Sequence, residues 1–355
     1  MPNVVVMEDL KQIASADLPW ASFKNKTILV SGANGFLPAY MIETLLYLNT
    51  TEDLQCKVIA MVRNEQRGQA RFADYINRAD LKLMLQDVTK PFTVAEKIDF
   101  IIHAASQASP KYYGADPVGT LMANVLGTYH LLELAKKHQA QDFLFFSSGE
   151  VYGELDESKV PTKENIYGFV DPTNVRACYA EGKRAGENMC VSYSYQYNLP
   201  VKIVRPFHTY GPGLKLDDGR VFADFVNDVV ERRDIVMLSE GLAQRAFCYL
   251  MDATTGFFTV LLKGKNATAY NIGNPDGLCS VIDLATTIAK LFPERNINVI
   301  RQARSKNSGY LVSKIAINCP DISLAEALGW RPRVSIKDGF KRTINSFLLK
   351  QEVTV

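Results

Sequence analysis

The chain reads as an α/β protein: a doubly wound parallel sheet with helices on both faces, followed by a smaller mixed domain. Three observations predict this. Short runs rich in β-branched and aromatic residues alternate with stretches of helical spacing through the amino-terminal half. Such βα units in series give parallel strands with helices over both faces. The first run, Lys26–Ser31, passes directly into Gly32-Ala-Asn-Gly35 and then into a helical pattern at Tyr40–Tyr47, the strand–glycine turn–helix order of a phosphate-binding unit. After Gly211 the alternation gives way to helices and short strands, over 213–245 and 275–350.

Composition narrows the class. Hydrophobic residues make up 47% of the 355, enough for a large core and two domains rather than disorder. The net charge is +2 with no basic run, so nucleic acid is not the expected partner. The six cysteines include no C-x-x-C pair and are expected as free thiols in a reducing compartment. No run approaches the ~18 apolar residues of a membrane span, and no leader pattern opens the chain. A soluble, cytoplasmic protein without membrane contact is expected. The four histidines lack metal-ligand spacing, and no metal is assigned.

In chain order, residues 1–25 form an arm or cap, with Trp20 packed on the body. Gly32 makes the tight turn after the first strand, and Gly35 lets the backbone approach a pyrophosphate at the helix N-terminus. Val58–Val62 is the second strand. It ends in Arg63, where a dinucleotide site often has a ribose-binding acid. Arg63 can take a 2′-phosphate or stack on adenine, so NADP stays open beside NAD. Leu83–Val88 is the third strand, with Asp87 at its end near the adenine. Phe100–Ser106 is the fourth, and its small residues Ala104, Ala105 and Ser106 let a nicotinamide ribose lie against the backbone. Asn124–Lys137 is a long amphipathic helix, and Asp142–Ser147 is the fifth strand, running into Ser148-Gly-Glu150. Ligands in such sheets bind at the carboxyl ends of the strands, which places Ser148 and Glu150 at the site.

The next helix, Arg176–Tyr197, carries Tyr179 and Lys183 at i and i+4, on one face one turn apart. A free phenol titrates near ~10, too high for a base at neutral pH; an adjacent ammonium favours the phenolate. Such a phenolate takes a hydroxyl proton while hydride leaves the same carbon. An ordinary helix surface gives the same spacing, so the pair gains meaning only beside the glycine turn and Ser148.

These segments resemble the extended short-chain dehydrogenase/reductase family, in its nucleotide-sugar epimerase/dehydratase branch. The matching residues are Gly32-x-x-Gly35, His103-Ala-Ala, Ser147-Ser-Gly-Glu-Val-Tyr-Gly153, Tyr179-x-x-x-Lys183, Arg205-Pro-Phe-His-Thr-Tyr-Gly-Pro212, Asp218-Gly-Arg220-Val, Gln244-Arg-Ala-Phe-x-Tyr249, Asn271-Ile-Gly-Asn-Pro275 and Leu328-Gly-Trp-Arg-Pro332. Within the branch the chain is most similar to UDP-glucuronate decarboxylases, then to dTDP-glucose 4,6-dehydratases. The resemblance implies a Rossmann-type domain over 26–212 that holds the catalytic residues. It implies a sugar-nucleotide domain mainly over 213–350, with 246–275 returning to the main sheet. It implies oxidation of a nucleotide-diphosphate sugar at C4 to a 4-keto intermediate. Tyr179 would be the base, activated by Lys183, Ser148 would orient the 4-hydroxyl, and Glu150 would be a second acid/base. NAD would lie against Gly32, Asn34, Gly35, Phe36, Leu37, Arg63, Asp87, Val88, Ala104, Ala105, Ser106, Asn124, Tyr179, Lys183 and Pro206. The sugar nucleotide would meet Ser109, Pro110, Glu150, His208, Arg220, Val221 and Arg245. Two helices of each subunit would pair across a homodimer.

Three positions depart from the family pattern. His208 stands where Asn is common. Gly149 replaces the acid that protonates the leaving hydroxyl in the dehydratases, which disfavours dehydration. Asn318 replaces an arginine that the decarboxylases use at the glucuronate carboxylate, unless Lys314 or Arg304 reaches in. The alternatives to decarboxylation are epimerisation, 4-dehydrogenation or dehydration of another nucleotide sugar, and a non-catalytic nucleotide-sugar sensor.

Overall fold

The computed structural model describes residues 3–302 and 315–352. Its centre is a seven-stranded, all-parallel sheet. The strands are β1 (Thr27–Ser31), β2 (Lys57–Val62), β3 (Leu81–Leu85), β4 (Phe100–His103), β5 (Asp142–Phe146), β6 (Val201–Pro206) and β10 (Thr268–Ile272), in the spatial order β10-β6-β5-β4-β1-β2-β3. The continuous apolar runs follow from burial on both faces. Ile28, Val30, Val58, Ala60, Phe100 and Ile102 pack on one side, while Leu29, Ile59, Met61, Ile101, Phe143 and Phe145 pack on the other. That alternation is the period of two of a strand.

The first face is covered by α1 (Val4–Ala14), α2 (Phe36–Thr51) and α8 (Leu250–Lys263), the second by α5 (Pro117–His138) and α6 (Cys178–Tyr197). The short α3 (Glu65–Arg71) follows β2, and α4 (Pro110–Ala115) precedes α5. Helix α5 begins earlier than its apolar spacing suggests, because Asp116 caps it through the Gly119 amide at 3.0 Å.

The segment predicted as an arm contains a helix. Along α1, Val5, Asp9, Leu10 and Ile13 are buried. Asp9 has no exposed surface. Its carboxylate accepts hydrogen bonds from Tyr40 (2.7 Å), Tyr249 (2.7 Å) and Arg342 (2.6 Å), joining three distant elements. Trp20 does pack on the body, edge-on to Phe258 with ring centroids 5.1 Å apart.

A second core lies beyond the sheet. It is built from α7 (Val221–Val230), α9 (Val281–Leu291) and α11 (Ile336–Glu352) against β7 (His208–Tyr210), β8 (Ile235–Met237) and β9 (Gln244–Tyr249). Strand β9 is the hub: it pairs with β7, with β11 (Leu278–Ser280) and with β13 (Ile317–Asn318), while β12 (Val299–Arg301) pairs with β8. Tyr210 stacks on Phe340 with centroids 3.8 Å apart. Short α10 (Ser323–Glu326) packs beneath β10. Of the segment 246–275, β10 joins the main sheet beside β6 and α8 covers it, whereas residues 246–249 belong to β9 and the smaller sheet.

Candidate active site

The carboxyl ends of β1, β4, β5 and β6 meet at one place, and the glycine turn lies there. Gly32 has φ +66°, and a Cβ on it would stand 2.7 Å from the Ala105 Cα. The β1 and β4 ends therefore approach as closely as backbones can, and only glycine fits. Gly35 caps α2, whose first amides lack intrahelical partners. Ala105 N–H donates to Ser31 Oγ (3.3 Å); Ser31 Oγ also bonds His103 Nδ1 (2.8 Å), and His103 Nε2 bonds Thr128 Oγ1 (3.1 Å). Burial, then the charge of Lys183, pushes His103 well below its ordinary value, so it is a neutral strut beneath the turn.

A dinucleotide fits these residues. The turn excludes any side chain at 32, α2 directs free amides outward, and the buried Asn124 Oδ1 and Ser106 Oγ lack partners among the described residues. Asn34, Phe36 and Leu37 form the turn and the first residues of α2. Pro206 ends β6 opposite Ile272. At the other end, burial raises Asp87, but the Thr89 amide and hydroxyl and then Arg63 outweigh it, and the carboxyl lies below its usual range. Val88, next to it, packs against Gly127 of α5. Arg63 is exposed and also lowers Asp116.

Tyr179 lies in the first turn of α6, stacked on Tyr113 of α4 with centroids 5.1 Å apart and planes 17° apart. Ser148 lies close enough to its phenol to favour the phenolate. Ser148 also caps the short turn Gly149–Tyr152 by accepting from the Glu150 amide (3.2 Å), and Glu150 accepts from Arg176 at 3.4 Å. Tyr179, Ser148 and Glu150 are thus brought together as the sequence predicts.

Lys183 lies beside Tyr179, its Nζ 5.7 Å from the centroid of the phenol ring, but the influences on the phenol come first from other groups. Burial pushes Tyr179 up to about 12, Ser148 pulls it down, Glu150 pushes it up, and the cation acting on it is Arg220. Lys183 Nζ instead donates to the Phe146 carbonyl at 2.5 Å and lies 5.0 Å from the Phe145 ring centroid. Sharing a helix face sets neighbourhood, not direction, and the β5 end offers the buried ammonium a carbonyl. Burial brings Lys183 down to about 7, opposed by Glu187.

The substrate-side residues form one wall. Ser109 Oγ donates to the Asp218 carbonyl, and Lys111 Nζ to the Asp217 carbonyl at 2.7 Å, so Ser109 and Pro110 lie against 217–218. Arg220 caps α7 ahead of the exposed Val221; it hydrogen-bonds Asp218 and covers the Phe222 ring at 5.1 Å. Burial, then Arg245 and Arg220, holds His208 down to about 3, and its buried Nδ1 lacks a partner among the described residues. Arg245 is anchored to the carbonyls of Gln244 (2.7 Å), Ala316 (3.1 Å) and Ile315 (2.9 Å), so its guanidinium is oriented by backbone. A histidine and two arginines in mutual electrostatic reach form a site for an anion.

Sequence reasoning missed Tyr113, Arg176 and Phe207. The ring of Phe207 explains Gly149, where a Cβ would stand 3.3 Å from three of its carbons. Asn318 pairs with Arg245 across β13 and β9 and lines a cavity of about 170 Å³ with Tyr152, Glu154 and Phe207; its buried Oδ1 lacks a partner among the described residues. Arg304 and Lys314 lie outside the described residues. Among the described residues no group of side chains could hold a metal ion, and no helix is long and apolar enough to cross a membrane.

The profile of the NAD dependent epimerase/dehydratase family matches residues 28–273. UDP-glucuronic acid decarboxylase 3 of Arabidopsis thaliana is 33% identical over 331 residues, 93% of this chain and 91% of the relative. UDP-glucose 4-epimerase of Thermotoga maritima, solved with UDP-glucose, superposes with a TM-score of 0.78 at 22% identity, covering 92% of this chain and 99% of that one. UDP-glucuronic acid 4-epimerase of Bacillus cereus, solved with UDP-glucuronic acid and NAD, gives 0.76 at 22% identity, covering 91% and 99%.

Proposed function

This chain belongs to the NAD-dependent epimerase/dehydratase family, and from that premise we propose that it oxidises a nucleotide-diphosphate sugar at C4, with decarboxylation of UDP-glucuronate as the first reading. The observation that carries it is the gathering of Ser148, Glu150 and Tyr179 beside Lys183 and the Gly32 cradle at the strand ends. NAD held against the Gly32 turn, Ser106 and Asn124 would supply a hydride acceptor for the sugar carbon, whose oxidation gives the ketone. Ser148 orients the 4-hydroxyl and Tyr179 takes its proton. Lys183 supplies positive charge behind the phenol, Arg220 supplies it in front, and Glu150 is placed to move a second proton. Arg220, His208 and Arg245 hold the diphosphate, with Ser109, Pro110 and Val221 along the same wall.

NAD is favoured over NADP because Asp87 and Asp116 both lie within electrostatic reach of Arg63. A 2′-phosphate there would face two carboxylates. The same argument from side chains gives a second reading for the ketone. Gly149 offers no acid to a leaving hydroxyl, and Asn318 offers no charge to a substrate carboxylate, which favours an epimerase or 4-dehydrogenase acting on a sugar with a neutral C6. Incubation with a panel of nucleotide sugars and NAD, followed by product mass and reduced-cofactor absorbance, tests both. Release of CO₂ from UDP-glucuronate supports the first reading. An epimer of UDP-glucose resolved from it by chromatography, or a 4-keto product lighter by a pair of hydrogens with reduced NAD formed alongside, supports the second, and no turnover of any member sinks both.

We assign 26–212 to cofactor binding and catalysis and 213–350 mainly to the sugar nucleotide. A homodimer through α5 and α6 is supported by Leu126, Tyr129, Val191 and Tyr195, all exposed on that pair. Sedimentation of Tyr195→Glu/Leu126→Glu should show a monomer if that face pairs. Six free cysteines fit a cytoplasmic setting.

A further inference from the structure

Behind the site lies a buried ion pair to which the mechanism assigns nothing. Arg205 is 1% exposed, and all five of its N–H donors are engaged. Nε and Nη2 fork onto Glu187 at 2.8 and 2.6 Å; Nη1 reaches Tyr152 Oη (2.9 Å) and the Glu164 carbonyl (2.8 Å), and Nη2 also reaches Tyr167 Oη (3.0 Å). A buried pair of this kind is weak evidence for stability, because apolar side chains of the same volume serve as well. Its geometry suggests another use. Glu187 is one turn beyond Lys183 on α6, and its Oε1 also accepts from Ser147 Oγ at 2.5 Å. Ser147 immediately precedes Ser148. One carboxylate thus touches the strand end that presents Ser148 and lies beneath the ammonium that follows Tyr179.

We propose that Glu187 is a positioning residue for the Ser148–Tyr179–Lys183 set: locked by Arg205, its carboxylate fixes the end of β5 through Ser147 and sets a negative charge one helical turn from the Lys183 amine. This rests on the function proposed above. The groups facing Lys183 are few. On α6 they are Tyr179, Glu187 and Cys190; on β5 the Phe146 carbonyl and the Phe145 ring; on β4 His103, which burial keeps neutral; and on β6 Arg205, one step behind Glu187. Burial is the largest influence on the amine and drives it towards the neutral form, and Glu187 is the largest influence opposing that. Without the carboxylate, Lys183 loses its proton at lower pH.

The test uses the full chain. Isotopic labelling of the lysine side-chain nitrogens, read by NMR across pH with the Lys183 signal assigned by its loss in Lys183→Arg, reports the midpoint of this buried amine whether or not the protein turns anything over. In Glu187→Gln that midpoint should fall by about one pH unit, as expected for loss of an adjacent opposite charge. With a nucleotide sugar that the wild type turns over, kcat in Glu187→Gln should fall on the alkaline side, about tenfold at a fixed pH for a one-unit shift, with KM little changed. Glu187→Asp, which keeps the charge, should restore the midpoint. Should Glu187→Gln fail to fold, Glu187→Gln/Arg205→Met removes both charges, and the midpoint should fall in the same direction by less, because the more distant guanidinium goes with the carboxylate. A folded variant of either kind with an unmoved Lys183 midpoint overturns the proposal. Absence of turnover in the wild type would refute the function while leaving the labelling result decisive for Glu187.

Discussion

Gly32→Ala tests the close approach that shapes the cofactor turn. Two costs separate cleanly. At φ +66° an alanine pays for a left-handed backbone, about 1 kcal/mol. Its Cβ would also stand 2.7 Å from Ala105 Cα and 2.9 Å from Ala105 N, where carbon contacts normally begin near ~3.5 Å. Both neighbours are backbone, so no rotamer relieves the overlap, and the β1 and β4 ends must part at a further cost of about 1–3 kcal/mol. Gly329 is the control: it has φ +91° and nothing within 4 Å of its would-be Cβ. Urea unfolding of the ligand-free protein should therefore show a loss of about 1 kcal/mol for Gly329→Ala and about 2–4 kcal/mol for Gly32→Ala. Calorimetric titration with NAD should show at least about tenfold weaker binding for Gly32→Ala alone, since 1.4 kcal/mol of displacement suffices. Equal losses in the two variants, with NAD affinity unchanged, would refute the claim that this contact sets the cradle.

Tyr179→Phe should lower kcat by about 10²–10⁴-fold with KM within a few-fold and the unfolding curve little moved, because phenylalanine keeps the ring stacked on Tyr113 and loses only the hydroxyl; steady-state kinetics on the substrate found in the panel decides it. His208 is neutral in the fold down to about 3, whereas an unfolded histidine takes its proton near ~6.5. Between those values the unfolded chain binds more protons, so stability should be full above the upper value and fall as pH falls; urea midpoints of His208→Asn should depend less on pH there. Asp9→Ala leaves two buried hydroxyls and Arg342 without their acceptor, and urea unfolding should show a loss of about 3 kcal/mol.

What could be read from the sequence was what depends on neighbours in the chain. The β-rich runs, the glycine turn and the Tyr179/Lys183 spacing are local patterns, and each element they predict is present within a few residues of its expected ends. Contacts across the fold were not legible. Helix α1 is fixed by Asp9, whose partners are 31, 240 and 333 residues away, and nothing in residues 1–25 announces them. Spacing placed Lys183 under Tyr179 but could not show that its amine turns to Phe146. The role of Arg245 was read as phosphate contact, while three carbonyls that orient it come from its own strand and from β13's approach.

The ring of Phe207 against Gly149 constrains how this site can change its chemistry over generations. An acid at 149 is the substitution that would open elimination of a hydroxyl, yet its first carbon meets the ring at 3.3 Å. Introduced alone, it passes through an overpacked ancestor that loses about 1–3 kcal/mol. If a smaller residue replaces Phe207 first, the path is open, so the two substitutions have an order. A double-mutant cycle with Gly149→Asp and Phe207→Ala should be strongly non-additive, and additivity would show that the ring bars nothing.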